Sequence, residues 1–355
     1  MGYRILVINP GSTSTKVSIF EDKKQVVKDK LIHNREDLSK FSSLLQQREY
    51  RENAILNIIK DRGYTMDVFD AVAARGGILK PLPSGTYVIS KRMVDYLKYE
   101  TPVQHASNLA AIIAYDLSKR HDIPAYIVDP VSVDEFDDVA RICGMPDLQR
   151  RSLTHALNIK ATARRCAEEL GKPYEKLNLI IAHLGGGISI TAHRKGKMVD
   201  ANNANDEGPF SPGRTGDVPI GALVKLAYSG KYTYEELYSC LVGNGGMVAY
   251  LGTNDLRTAM KRLEEGDEKA KLVLKAMVYQ ISKEIYAMAA VLKGKIDAIA
   301  VTGGMSYEPY IVNSIREYVS NIALVLIFPG EMEMEALALG VLRVLNGEEK
   351  AKVYK

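Results

Sequence analysis

Ile5-Leu6-Val7-Ile8-Asn9-Pro10-Gly11-Ser12-Thr13-Ser14-Thr15-Lys16-Val17-Ser18-Ile19 is an apolar strand, a polar residue at its end, a Gly/Ser-rich turn and a second, alternating strand. The same plan returns at Leu179-Ile180-Ile181-Ala182-His183-Leu184-Gly185-Gly186-Gly187-Ile188-Ser189-Ile190. A hairpin recurring in two halves suggests duplicated domains facing one another across a cleft, with two phosphate-binding hairpins turned inward. The competing account is that any two glycine-turned hairpins look alike. Neither stretch is a Walker motif, because the first lacks a second glycine before Lys-Ser/Thr, and no GxGxxG opens a helix.

Outward from these hairpins, short β-branched runs alternate with longer helical patterns, which defines an α/β class. Strands are expected at residues 4–9, 16–21, 71–75, 86–90 and 125–129. A second set is expected at 178–183, 188–193, 297–302 and 323–328. Helices are expected at 105–120, 155–170, 268–292 and 333–345. In the third of these, Leu274, Met277, Ile281, Ile285, Met288 and Leu292 recur at three- or four-residue steps, one buried stripe. The expected organisation is a first domain over about 1–150, completed by the C-terminal helix (336–355), and a second over about 151–335.

The chain has 355 residues, enough for two cores, and its 46% hydrophobic and 25% charged content excludes a disordered polymer. Apolar runs end after a few residues, so no membrane span is expected. The first residues show no secretory h-region. Cys143, Cys166 and Cys240 are widely spaced, form no CxxC pair, and suit a reducing cytoplasm. Net charge is +4, from 47 basic and 43 acidic residues without a basic block, and there is no tryptophan. A nucleic-acid surface is therefore not expected.

The first loop offers backbone N–H groups, the hydroxyls of Ser12 and Ser14 among others, and the ammonium of Lys16: an anion-binding concavity, or alternatively a Ser/Thr-rich turn with a surface lysine. Three glycines in a row between apolar strands, Gly185, Gly186 and Gly187, indicate that something approaches the backbone closely. Thr302-Gly303-Gly304-Met305 follows another apolar strand and precedes a helix near 308–319, an arrangement suited to an adenosine or phosphate group. Arg75 ends an apolar strand, where a half-buried guanidinium must find an anion. The acidic residues Asp134, Glu135, Asp137 and Asp138 read as the solvated start of a helix or loop.

Asn9-x-Gly-Ser-x-Ser-x-Lys16, His183-Leu-Gly-x-Gly187, Asn254-Asp255-Leu256-Arg257 and Thr302-Gly-Gly304 occur in one order. Together they resemble the acetokinase family of the actin-like ATPase (ribonuclease H-like) superfamily. Arg75-Gly-Gly77, Arg150-Arg151-Ser152, Gly213-Arg214-Thr215-Gly216-Asp217 and Glu333-x-Glu335-Ala-Leu-Ala338 look closest to its butyrate kinase branch. The resemblance runs from about residue 4 to about residue 343. It implies two actin-like domains and the phosphorylation of a short-chain carboxylate by ATP with Mg²⁺. Asn9 then stands near Mg²⁺, with Glu333 or Glu335 as the second metal-site residue. Lys16, Ser12 and Ser14 serve ATP, as do His183, Gly185, Gly186, Gly187, Asp255, Leu256, Arg257, Gly303, Gly304 and Met305. Arg75 holds the carboxylate substrate, Asp129 matches the catalytic aspartate and Arg214 stabilises the transition state. Arg151 stands where acetate kinases carry a histidine, and His155 matches a histidine that structures the loop.

A fatty acid's carboxyl group, with a pKa near that of Glu, is ionised at neutral pH, so no base is needed to make the nucleophile. The difficulty is bringing an anion against a polyanion in line with the γ-phosphorus. Arg75, Arg151, Arg214 and Lys16 are suitable counter-charges, and Asp129 either orients a metal or arginine or acts as a base. The expected partners are ATP/ADP and a short-chain fatty acid, within a homo-oligomer of at least two copies. Propionate, acetate or a branched acid is the alternative substrate. A non-catalytic actin- or Hsp70-like nucleotide switch is the alternative class.

Overall fold

In the computed structural model, which describes residues 2–102 and 105–355, twelve strands form two sheets. In chain order they are β1 (Arg4–Pro10), β2 (Ser14–Glu21), β3 (Lys24–Ile32), β4 (Ala71–Arg75), β5 (Thr86–Val88) and β6 (Ala125–Val128). Then follow β7 (Asn178–Leu184), β8 (Ile188–Arg194), β9 (Lys197–Ala201), β10 (Ala298–Gly303), β11 (Leu324–Pro329) and β12 (Lys352–Val353). The chain divides into two compact units, Met1–Val133 with Met332–Lys355, and Asp134–Glu331.

The first unit carries the sheet β12-β5-β6-β4-β1-β2-β3. β1 pairs antiparallel with β2 and parallel with β4, which pairs parallel with β6. Ile5, Leu6, Val7 and Ile8 are all fully buried, as an unbroken apolar run must be when both sheet faces are covered. The helices Ala106–His121 and Glu333–Leu345 pack on β1, β4 and β6.

The second unit carries β11-β10-β7-β8-β9. β7 pairs antiparallel with β8 and parallel with β10, which pairs parallel with β11. Strand for strand, β9-β8-β7-β10-β11 repeats β3-β2-β1-β4-β6 in order and direction, so the sequence echo is a topological repeat. The long helix Glu268–Val291 packs on β7, β8 and β9, and buries Leu274, Met277, Ile281, Ile285 and Met288 along the stripe read from the sequence. The helix Ala156–Glu169 packs on β7 and β10.

Some elements differ from the sequence reading. β3 and β9 were not foreseen: β3 is a mostly exposed, charged edge strand that takes its conformation from its pairing with β2. β5 is shorter than expected because Ser90 leaves the strand to cap the next helix, its Oγ accepting from the Met93 N–H at 3.3 Å. β6 stops at Val128 because Asp129 takes φ 37°.

Only the second half of the acidic run near 134–138 is the expected solvated helix start: Asp137 precedes the short helix Asp138–Arg141, and Asp138 is exposed. The Asp134 side chain is 2% exposed and accepts both arms of Arg141 at 2.8 Å. Glu135 accepts from the fully buried Lys160 at 2.6 Å. The pair of Glu135 with Lys160, and those of Arg150 with Asp200 and Glu207 at 3.0 Å, tie the segment after Val133 to the second unit, which begins at Asp134.

Gly340 sets how closely the C-terminal helix approaches its sheet: a Cβ there would lie 2.5 Å from a methyl of Val128. Gly340→Ala is expected to lower stability by about 1–3 kcal/mol in urea unfolding. An unchanged midpoint would contradict the described packing of helix on β6.

Candidate active site

Parallel strands end together, and their ends gather residues distant in sequence. Ile8 lies beside Ala74, and Arg75 beside Val128, so Asn9, Arg75 and Asp129 follow one another across the carboxyl ends of β1, β4 and β6. On the other flank, antiparallel register sets Lys16 of β2 directly opposite Asn9.

Glu333, in the first turn of the C-terminal helix, reaches into this group. Its carboxylate accepts from Asn9 Nδ2 at 3.0 Å, pairs with Lys16 Nζ at 3.5 Å, and takes a hydrogen bond from Arg75. Its side chain is 14% exposed. Burial alone would raise the Glu333 carboxyl, but Arg75 and Lys16 outweigh it and hold it below its ordinary value. Glu335, two residues on, is exposed. Glu333 and Asn9 together offer one carboxylate and one amide, which suits a Mg²⁺ that keeps its waters and arrives with phosphates. Among the described residues, no three His, Cys, Asp or Glu side chains stand together as a denser metal cage.

Asp129 is 1% exposed, and its Oδ1 accepts from the Gly85 N–H at 2.7 Å. Its left-handed backbone is the kind of local strain that a surrounding structure must hold in place.

The first loop is braced from behind by a residue the sequence reading did not single out. Arg51, fully buried on the helix Gln47–Asp61, donates to the carbonyls of Gly11, Ser12 and Ser14 at 2.8, 3.0 and 3.3 Å. Ser12 and Thr13 are exposed at the loop's tip.

In the second unit the glycines sit where backbones meet. Gly303 has φ 93°, and a Cβ on it would lie 2.3 Å from the carbonyl oxygen of Leu184. The Arg214 guanidinium lies on Gly187, where a Cβ would be 2.1 Å from Nη1; the same nitrogen donates to the Ala204 carbonyl at 2.9 Å. Ser211 Oγ donates to the Gly186 carbonyl at 2.8 Å. Arg214 is therefore half-buried against the triple-glycine turn, and burial lowers its pKa. His183 stacks on His155 with ring centroids 4.0 Å apart, and its Nδ1 is 2.8 Å from Asn158 Nδ2. Glu331 Oε1 lies 3.7 Å from His183 Nε2. Neither Asn158 nor Glu331 was singled out from sequence; a helix interior and an acidic run concealed them.

Arg151 is exposed. Asp255 caps the helix Leu256–Glu264, accepting from the Arg257 N–H at 3.0 Å and pairing with its guanidinium at 2.8 Å, while Leu256 packs on the core. Gly304 is exposed and Met305 is a core residue.

Residues 148–330 match the model of the acetokinase family. A protein of Thermotoga petrophila named probable butyrate kinase is 54% identical over 353 residues, 99% of each chain. Butyrate kinase 1 of Clostridium acetobutylicum is 49% identical over 354 residues, 99% of this chain and all of that one. The acetate kinase crystal structure from Porphyromonas gingivalis superposes with a TM-score of 0.80 at 20% identity, over 97% of this chain and 100% of that chain, a likeness of fold.

A carboxylate whose pKa is lowered by folding stabilises the fold above its ordinary value and ceases to do so as pH falls through the lowered one. Urea unfolding stepped from pH 7 through about 4.5 to about 3 is expected to show Glu333→Gln with a shallower acid loss than wild type. Identical pH slopes would mean that Arg75 and Lys16 do not hold this carboxylate.

Proposed function

Since the chain belongs to the acetokinase family, we propose that it transfers the γ-phosphoryl group of ATP directly to the carboxylate of butyrate, forming butyryl phosphate and ADP. The observation that carries the reading is the gathering of Arg75, Lys16 and Asn9 around Glu333. Glu333 draws two cations to one place, where in this reading an ionised acid must approach a polyphosphate. The full-length kinship with butyrate kinases supports butyrate over other short acids.

In this reading Arg75 holds the acid's carboxylate, since its guanidinium is a planar fork of permanent charge. Lys16, with Ser12 and Ser14, meets ATP phosphates. Asn9 and Glu333 would hold Mg²⁺, which when bound supplies neutralisation of phosphoryl charge. Arg214, clamped on Gly187, would stabilise the charge that develops on the phosphoryl oxygens, and the exposed Arg151 would add a further cation. His183, Gly185, Gly186, Gly187, Gly303, Gly304 and Met305 serve the nucleotide, with Asp255, Leu256 and Arg257 holding the segment beside it. Asp129 orients its surroundings rather than taking a proton, because the nucleophile is already an anion.

We also propose a homo-oligomer. The helices Ile220–Ala227 and Tyr234–Leu241 bury none of their residues, and Ile220, Tyr234 and Tyr228, which follows the first helix, are at least 75% exposed. Such an apolar face is a reason for self-association. Three free cysteines suit a cytoplasmic setting.

A hydroxamate trap run with ATP and a panel of acids is expected to give most product with butyrate; no signal with any acid would favour a nucleotide switch. Arg75→Ala is expected to raise KM for the acid more than for ATP, and equal losses would remove its assigned role. Arg214→Ala is expected to lower kcat by on the order of 10²–10³.

A further inference from the structure

The largest side chain with no solvent exposure is Arg51, a charged residue. It lies in the first unit behind the loop of residues 11–14. Its guanidinium donates to the carbonyls of Gly11, Ser12 and Ser14, and stands 3.4 Å from Thr15 Oγ1. Nε and Nη2 both donate to Gln47 Oε1, at 3.1 and 3.0 Å. The remaining loop carbonyl, that of Thr13, accepts from the His33 N–H at 2.9 Å. Every carbonyl from Gly11 to Ser14 thus accepts from Arg51 or His33, that of Ser14 also from the Gly11 N–H at 2.7 Å.

All of Arg51's acceptors are neutral. Among the described residues no carboxylate pairs with it; the adjacent Glu52 is committed to Arg120 at 2.7 Å. A buried charge is ordinarily matched by an opposite one, and the interior favours leaving such a cation out altogether. Lys160 in the second unit follows the ordinary pattern, paired with Glu135. Arg51 does not. A guanidinium keeps its proton even when buried, so its charge is permanent. Neutral carbonyls spread that charge without cancelling it, and on the loop's other side Ser12 and Thr13 are exposed.

We propose that Arg51 is a positioning residue and buried counter-charge for the polyphosphate of ATP, holding the first loop in its anion-binding shape and supplying positive potential through it. The proposal rests on the reading of this loop as a phosphate site given above. Gln47 is the lever for testing it. Gln47→Glu keeps the side-chain length and the oxygen that Arg51 contacts, but sets a negative charge against the guanidinium.

The experiment uses the full chain and measures three quantities: the melting temperature, Kd for ATP, tripolyphosphate and adenosine, and KM for each substrate in the hydroxamate assay. Gln47→Glu is expected to melt at or above wild type while Kd for ATP and tripolyphosphate rises about tenfold. KM for butyrate and Kd for adenosine should change less than about twofold. A folded Gln47→Glu protein with unaltered polyphosphate affinity would overturn the proposal and leave Arg51 as a structural brace. If Gln47→Glu fails to fold, Arg51→Lys decides. It keeps a charge but cannot bridge three carbonyls, and a folded Arg51→Lys with wild-type Kd for tripolyphosphate would equally overturn the proposal. Wild-type protein that binds tripolyphosphate but forms no acyl hydroxamate would count against the carboxylate kinase reading alone. The Arg51 comparison would still be decided by Kd.

Discussion

Glu333 is the tie on which the first unit's polar group depends. Without its carboxylate, Arg75 and Lys16 would lose the partner they share and bring two half-buried like charges together beside Asn9. The carboxylate in turn tolerates its own burial only because those cations are there. Mutual need of this sort specifies geometry, since each group is costly to leave unpaired. The tie also docks the C-terminal helix, which returns from the end of the chain to β1, β4 and β6 and is brought close by Gly340.

Both units use the same device. An antiparallel hairpin is followed by parallel neighbours whose carboxyl ends align, so residues from several strands arrive at one edge. In the first unit those ends carry charge and amide; in the second they carry glycine turns. The glycines answer to steric demands that can be named: the Leu184 carbonyl at Gly303 and the Arg214 guanidinium at Gly187. A side chain at either position would push apart the pieces that now touch.

Buried charge is handled in two ways. Lys160 and Glu135 close on one another and present no net charge. Arg51 is satisfied in hydrogen bonds yet uncompensated in charge, and it lies behind a loop whose outer face is open. The first arrangement holds the segment after Val133 to its unit. The second stores positive potential at one place, which is useful only where an anion comes and goes.

Much of this was legible before the structure. Strand ends are abrupt in sequence, because an apolar run stops at a polar residue, and so Asn9 and Arg75 stood out, whereas Glu333, in a helix's first turn, was reached through the family resemblance with Glu335 as its alternative. Arg51 could not: no element was expected over residues 47–61, and nothing local distinguishes Arg51 from Arg48, which pairs with Asp116. The acidic residues Asp134 and Glu135 misled for the same reason, and Asp255 and Arg257 proved to be partners of one another in a helix cap. The chain's own pattern of apolar runs, glycine turns and helical stripes determined the α/β class, the repeated hairpin, the central strands and the longest helical stripe, because those follow from near neighbours. Only the tertiary structure decided which charges are buried and against what, because a charge's environment is set by residues far away along the chain.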